Sequence, residues 1–391
     1  MPAAVRVFVV LLFAYFLSYF YRAVNAVISP DIASDLSLSP AQLGLMTSLY
    51  PLAFALTQLP LGGFLDRYGP RFVHPVLLCV GALGAFVFAQ AQSFEALSLG
   101  RFLIGAGMAA ALMGALKAFS LWFPPERFAS VSSLYVALGG LGPIAAATPL
   151  VWVKEEIGWR GVFEYGAAAV VLAAVLVATL VRNAPPGVAL PQAAQGGSFA
   201  QIWGNLSFWR IGLLNFMMNG GFLAWQTLWG GAYLYGKGWG ALEVGNALFL
   251  LSLAAVAGFF VCGLLADRFG LGRVFLSASG LVTSAVLALF LWPAMPDALT
   301  TLCFALIGFG GAFNILSLAQ ARLIFPIALT GRVTTGINFL GFGGFFLLQW
   351  GMGVGVEQLG YGAVLLVWAA LLALAIGFYL PLMRPKPAGA G

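Results

Sequence analysis

A short charged corner lies between two long apolar runs and decides how the chain is organised: Gly62-Gly63-Phe64-Leu65-Asp66-Arg67-Tyr68-Gly69-Pro70-Arg71. Nearly the same corner returns much later as Gly263-Leu264-Leu265-Ala266-Asp267-Arg268-Phe269-Gly270, followed by Arg273. The second corner also stands between apolar runs. Two such corners indicate a duplicated chain.

The composition excludes an ordinary soluble domain. Hydrophobic residues make up 62% of the 391 residues and charged residues only 8%, whereas soluble domains contain about 25% charged residues. Runs such as 170–181 do not alternate apolar and polar residues, which argues against the strands of a membrane barrel. The first apolar run is too long for a cleavable signal, so we expect it to remain as a spanning helix.

Apolar runs bounded by proline, glycine and charge predict twelve spanning helices, each near the length of about 20 residues that a bilayer requires. Their predicted ranges, α1 to α12, are 6–28, 41–61, 73–93, 97–121, 128–150, 162–182, 209–234, 242–265, 274–293, 298–321, 333–356 and 362–382. We therefore predict an all-α membrane protein of two pseudo-symmetric six-helix bundles, 1–183 and 209–391, joined by a cytoplasmic linker, 184–208.

The distribution of charge predicts the orientation. Short cytoplasmic loops carry the excess of lysine and arginine, and Arg6, Arg127 and Arg182 all fall on one side, while acids such as Asp31 and Glu155 fall on the other. We expect both termini in the cytoplasm and the chain in a bacterial-type inner membrane. The net charge of +6 is then explained by topology, and no nucleic-acid partner is expected.

The repeat extends beyond the two corners. Phe123-Pro124 after α4 corresponds to Phe325-Pro326 after α10, and Gly139 and Gly142 in α5 correspond to Gly341 and Gly344 in α11. Two six-helix halves in parallel repeat are typical of secondary transporters that rock around a midplane site.

On these motifs the whole chain resembles the major facilitator superfamily. The loop signature of that family, Gly-x-Leu-Ala-Asp-Arg-x-Gly, is matched closely by 263–270, and by 62–71 with Phe64 and Leu65 in place of Leu-Ala. The resemblance implies that the corner residues lock the outward-facing state. The implied gating residues are Asp66, Arg67, Arg71, Asp267, Arg268 and Arg273. The alternative is a tight turn with charges that reach the membrane surface.

Arg22 is the most informative charge inside the predicted helices, because a charged side chain at mid-bilayer costs about 2.5–3.5 kcal/mol. Polar residues recur around it at helical spacings of three and four, which forms one stripe on α1: Tyr15, Ser18, Tyr19, Asn25 and Ser29. No acid lies inside the helices to pair with it, and a guanidinium fork matches carboxylate or phosphate. We expect a transported anion as its partner; the alternative is an arginine that caps backbone carbonyls.

By resemblance, α1, α4, α7 and α10 line the central cavity, and Tyr21-Arg22 matches the pair that grips the substrate in the organophosphate and organic-anion branches. Organophosphate exchangers add a second arginine from α7, where this chain has Leu223. The predicted substrate-binding residues are Arg22, Tyr15, Tyr19, Asn25, Asn219, Gln226, Asn314 and Trp229.

Two further charges lie in α4. Arg101 opens a stretch, 101–107, that resembles the family's α4 signature of arginine followed by spaced glycines, which implies a role in coupling or in packing α1 against α4. Lys117 either shares in coupling or reaches the cytoplasmic surface.

These residues predict a monomeric secondary transporter of a small organic or inorganic anion, acting as a symporter or exchanger by alternating access. A proton or counter-solute would drive it. The alternative is a proton-coupled exporter of amphipathic drug-like compounds, which the aromatic residues of the cavity wall allow. No enzyme activity, cofactor or metal site is expected, because the sequence contains no nucleophile with a base, metal cluster or phosphate-binding loop.

Overall fold

The computed structural model describes residues 3–185, 200–325 and 330–383, and these residues contain helices and no strands. The first six spanning helices have the following bounds. They are α1, Ala3–Ala23 and Asn25–Leu36; α2, Pro40–Tyr68; α3, Pro70–Ala89; α4, Phe94–Met108 and Ala110–Trp122; α5, Pro125–Gly139, Leu141–Ala145 and the start of Thr148–Leu180; and α6, the rest of Thr148–Leu180 after a corner at Gly158.

The second six follow the same plan. They are α7, Leu206–Ala224, a π-helical segment Trp225–Trp229 and Gly230–Gly236; α8, Ala241–Phe269; α9, Leu271–Leu291; α10, Asp297–Gly311, a 3-10 segment Ala312–Ile315 and Leu316–Ile324; and α11 and α12, the two parts of Thr330–Tyr379 on either side of Gly360. Short helices also occur at Ala200–Trp203 and Leu380–Met383.

The predicted twelve-helix fold is confirmed. Ten helical stretches within the described ranges are long and apolar enough to cross a membrane. One of them, Val333–Met383, contains both α11 and α12, and α7 is a further helix in three segments. The chain is therefore a multi-pass membrane protein.

Four glycines make the corners that separate consecutive helices. Gly69 ends α2 with φ 76° and Gly270 ends α8 with φ 88°, while Gly158 and Gly360 divide α5 from α6 and α11 from α12 with φ 69° and 78°. Residues with a side chain rarely adopt such positive φ values. The duplicated sequence thus places glycines with positive φ at the same two turns in each half.

Several helix bounds differ from the predicted ones. The prediction ended α1 near Pro30, but the helix continues to Leu36 with Pro30 inside it. The prediction also ended α5 at 150 and began α6 at 162, whereas one residue, Gly158, makes the whole turn between them. A turn made by a single glycine needs no polar loop. Hydropathy alone therefore ended α5 too early and began α6 too late.

The predicted linker, 184–208, lies largely outside the described residues. Its last part is helical at Ala200–Trp203, and α7 begins at Leu206 rather than at 209. The side chain of Asn205 caps this start, with Oδ1 accepting a hydrogen bond from the backbone N–H of Ser207 at 2.8 Å.

Two compact units account for the described residues. The first contains α1 to α6 together with Gln226–Phe249 and Gln349–Val354, and the second contains the remaining described parts of α7 to α12. The C-terminal part of α7, the N-terminal part of α8 and a short stretch of α11 therefore pack as members of the first unit.

Candidate functional site

Arg22 lies in the first unit, between aromatic rings of two helices. Its side chain is 8% exposed. The guanidinium carbon lies 4.4 Å from the ring centroid of Tyr19, one turn earlier on α1, and 5.4 Å from that of Phe54 on α2. Such cation–π contacts stabilise a desolvated arginine by about 2 kcal/mol. The two rings hold the flat guanidinium group in one orientation.

A column of tyrosines continues from Arg22 along α1. The hydroxyl of Tyr15 donates to the hydroxyl of Tyr19 at 3.1 Å, and the Tyr15 ring stacks on Tyr135 of α5 with 4.6 Å between centroids. The Tyr135 hydroxyl lies 3.0 Å from the carbonyl of Leu11 and 2.8 Å from that of Ala111. Tyr135 therefore ties α1, α4 and α5 together behind the predicted site.

A polar face of α2 supports the other side of the stripe. Asn25 Nδ2 donates to Thr47 Oγ1 at 2.9 Å, and the Tyr50 hydroxyl donates to the backbone carbonyl of Ser18 at 3.0 Å. With Phe54, these α2 residues are spaced by three and four. The sequence prediction missed them, although the same helical periodicity that identified the α1 stripe would have found them.

The predicted residues in the C-terminal part of α7 also belong to the first unit. Gln226 and Trp229 lie in the π-helical segment, a kind of bulge that is frequent at functional sites. Trp229 is 1% exposed, and its Nε1 donates to the backbone carbonyl of Gln349 at 2.8 Å. The ring fits between Gly44 of α2 and Gly353 of α11, where an added Cβ would come within 3.0 and 3.1 Å of it.

The remaining predicted substrate residues, Asn219 and Asn314, lie in the second unit. Asn219 is half-buried beside Gly341 of α11. Asn314 is half-buried in the 3-10 segment of α10, where its Nδ2 donates to the carbonyl of Gly311 at 2.8 Å. The structure thus brings together Tyr15, Tyr19, Arg22 and Asn25, and places these two asparagines in the other unit.

The first charged corner contains an ion pair that the sequence did not predict. Lys117 Nζ of α4 lies 2.6 Å from Asp66 Oδ1, so Lys117 is paired with the acid of this corner. Arg71 is held by α6, with its Nε donating to the carbonyl of Ala178 at 3.2 Å. Arg67 lies over the ring of Tyr68 at 5.1 Å.

The second corner lies at the equivalent end of α8. Asp267, Arg268 and Arg273 are exposed. The guanidinium carbon of Arg268 lies 5.4 Å from the ring centroid of Phe269, as that of Arg67 does above Tyr68. The duplication therefore preserves this arginine–aromatic contact as well as the sequence.

Arg101 of α4 is completely buried and contacts α1. Its Nη1 donates to the carbonyl of Tyr21 at 2.8 Å, and its guanidinium lies 5.0 and 5.5 Å from the ring centroids of Phe88 and Phe163. Of the two predicted roles, packing of α1 against α4 is the one that this geometry supports.

Three pairs of helices come into close contact within the first unit, at the ends that the charge distribution assigns to the outer face. Tyr235 of α7 donates from its hydroxyl to the carbonyl of Val27 at 3.1 Å. Thr148 Oγ1 of α5 lies 2.9 Å from Asn246 Oδ1 of α8. In the third pair, an added Cβ on Gly44 of α2 would lie 3.0 Å from the carbonyl oxygen of Gln349 of α11.

The contact between α1 and α7 depends on a proline and a glycine. Pro30 has no N–H, so it cannot donate to the carbonyl of Ala26 four residues earlier. Gly231 packs against that same carbonyl, and a Cβ at this position would overlap the oxygen. The sequence alone indicated that α1 ends at Pro30. In the structure, the proline lies inside the helix and leaves the carbonyl of Ala26 without its usual helical donor, so that Gly231 can pack against it.

Comparison with known proteins gives matches along most of the chain. The family model described as Major Facilitator Superfamily matches residues 11–348. The nitrate/nitrite transporter NrtP of Picosynechococcus sp. is 32% identical over 155 residues, which are 39% of this chain and 29% of that protein. The probable sulfoacetate transporter SauU of Cupriavidus necator is 25% identical over 271 residues, 65% of this chain and 63% of that protein. The matches thus span less than two thirds of these relatives' lengths.

A solved structure shows the same fold. It is that of a bacterial homologue of the human lysosomal transporter Spinster, in an inward-facing and unoccupied conformation. The TM-score is 0.80 at 19% identity, and the match covers 99% of this chain and 100% of the other.

Proposed function

This chain belongs to the major facilitator superfamily, and on that premise we propose that it is a secondary active transporter of a small organic or inorganic anion, working by alternating access. The observation that carries the proposal is the burial of Arg22 between the rings of Tyr19 and Phe54, on the polar stripe of α1. A carboxylate, nitrate or sulfonate fits the guanidinium fork of such an arginine.

The nearest acids along the chain are committed to other partners. Asp31 forms an ion pair with Lys154 at 2.5 Å, and Asp35 accepts a hydrogen bond from Trp159 Nε1 at 2.7 Å. The relatives NrtP and SauU are named as transporters of anions, nitrate/nitrite and sulfoacetate respectively. Both observations support an anion at Arg22 and give no support to the drug-exporter alternative.

Alternating access is supported by contacts at both ends of the helices. The close contacts of α1 with α7, α2 with α11 and α5 with α8 would seal the outer end of the site. At the opposite end, the Asp66–Lys117 pair belongs to the corner that acts as a gate by family resemblance. In one cycle the outer contacts open while this corner rearranges, so the anion meets one side of the membrane at a time.

The location and energy source complete the proposal. We place the protein in the inner membrane with both termini in the cytoplasm, acting as a monomer. No acid lies in the middle of the helices that line the cavity by resemblance, so coupling would use a proton carried with the solute, exchange against a counter-solute, or Glu164 near the outer end of α6.

The test is anion uptake into proteoliposomes that contain the wild type, Arg22→Gln or Arg22→Lys, with labelled nitrate and sulfoacetate as the candidate substrates. Loss of charge-assisted hydrogen bonds worth about 1.5–3 kcal/mol should lower kcat/KM about 10- to 150-fold in Arg22→Gln. Arg22→Lys should retain part of the activity. Arg127→Gln, which changes an exposed arginine, is the matched control.

Size-exclusion chromatography establishes that each variant is folded before uptake is measured. Undiminished uptake by folded Arg22→Gln would show that Arg22 does not bind the anion. Uptake by the wild type of an uncharged amphipathic compound, without uptake of any anion, would favour the exporter instead.

A further inference from the structure

An apolar groove of about 330 Å³ opens on the surface of α2 and α3. Its walls include Pro60, Leu61 and Phe64 of α2 and Phe72 and Val76 of α3. Phe72 and Val76 are 61% and 65% exposed. In a chain that spans a bilayer, exposed apolar side chains of this kind face hydrocarbon, so the groove suits an acyl chain.

Two arginines stand at one end of this groove. The guanidinium carbon of Arg67 lies 5.1 Å from the ring centroid of Tyr68, and that of Arg71 lies 5.7 Å from that of Phe72; both rings line the groove. Asp66, the adjacent acid, is engaged by Lys117 at 2.6 Å. Arg71 Nε donates to the carbonyl of Ala178 of α6 at 3.2 Å, which leaves its two Nη groups to bind a headgroup. Within the described part of the chain, neither arginine forms an ion pair, so two positive charges flank the end of an apolar groove.

We propose that the groove binds an anionic phospholipid, with one acyl chain along α2 and α3 and the phosphate between Arg67 and Arg71. A guanidinium binds phosphate through paired hydrogen bonds. Basic pockets between spanning helices at the membrane interface are suited to anionic headgroups. In a zwitterionic lipid the headgroup ammonium already offsets the phosphate charge, so the two arginines add less binding free energy. The site lies apart from Arg22 and is additional to the proposed transport function.

The test is native mass spectrometry of the purified full-length protein, titrated with phosphatidylglycerol or with phosphatidylcholine of the same acyl chains. The wild type should bind phosphatidylglycerol more tightly. An interfacial arginine contributes about a fivefold change in affinity, so the double variant Arg67→Gln/Arg71→Gln should bind phosphatidylglycerol about 30-fold more weakly. The variant Arg67→Lys/Arg71→Lys should keep most of the affinity.

Two further variants separate the groove from charge alone. Val76→Trp fills the groove with both arginines intact, and it should also weaken binding of phosphatidylglycerol. The double variant Arg268→Gln/Arg273→Gln removes the equivalent charges of the second corner, and it should leave this binding event unchanged. Size-exclusion chromatography checks that each variant is folded.

Three outcomes would overturn the proposal. They are equal binding of the two lipids, full retention of phosphatidylglycerol by folded Arg67→Gln/Arg71→Gln, and displacement of phosphatidylglycerol by an equal concentration of soluble glycerophosphate. The last would show that a charged patch suffices without the groove.

Discussion

The ion pair between Asp66 and Lys117 gives the sharpest quantitative prediction, in the form of a double-mutant cycle. The variants are Asp66→Asn, Lys117→Met and the combination of the two. Each single change leaves one partly buried charge without its partner, whereas the double variant removes both charges. The double variant should therefore be less destabilised than the sum of the two single variants.

The structure bounds the magnitude. The two charged atoms are 2.6 Å apart, and the side chains of Lys117 and Asp66 are 21% and 32% exposed. Fully exposed ion pairs contribute about 0.2–1 kcal/mol, and hydrogen bonds to charged groups shielded from water about 1.5–3 kcal/mol. Because a fifth to a third of each side chain meets solvent, we expect a coupling energy of about 1–2 kcal/mol, within the range found for residues in contact.

The assay is reversible unfolding of the purified protein in mixed detergent micelles, with the free energy of unfolding measured for all four members of the cycle. Glu155→Gln, which alters an exposed acid in the same half of the chain, should change that free energy by less than about 0.5 kcal/mol. A coupling energy indistinguishable from zero would refute the reasoning, since it would mean that water separates the two charges in solution.

Two other predictions concern packing. Gly231→Leu should hold the contact of α1 with α7 open, because the new side chain meets the carbonyl of Ala26. A cysteine placed in this contact should then react faster with an impermeant maleimide. The control is Gly351→Leu, at a helical glycine with open space around it, which should not change the rate. Arg101→Met should lower the free energy of unfolding by about 1–3 kcal/mol, because the carbonyl of Tyr21 loses its donor, and thermal unfolding with and without a bound anion should show unchanged affinity. Equal maleimide rates in the two glycine variants, or loss of anion affinity in Arg101→Met, would contradict these assignments.

Much of the fold was predictable because a bilayer leaves few structural options. Backbone groups in hydrocarbon must be hydrogen-bonded within the chain, so long apolar runs become helices. The errors occurred where a bound depends on one residue in a tertiary context. Pro30 reads as a helix end in sequence, yet its missing N–H frees the carbonyl of Ala26 for contact with Gly231.

The candidate site was predictable only along a single helix. The stripe of Tyr15, Tyr19 and Arg22 follows from the 3.6-residue period of α1. The partners from other helices, Phe54 of α2 and Tyr135 of α5, could not be inferred, because periodicity gives the face of a helix and not the helix that it meets. For the same reason the sequence left the partner of Lys117 open.

By itself, the sequence determined that this protein is a duplicated, twelve-helix membrane protein, and that a basic residue stands deep in its first helix. These features follow from composition and spacing, which act along one helix at a time. Only the tertiary structure decided which charges are neutralised. It pairs Lys117 with Asp66, binds Arg101 to a backbone carbonyl, and places Arg22 between two rings. The physical reason is that the free energy of a charge in a membrane depends on atoms within a few ångströms, and those atoms come from helices far apart in the sequence.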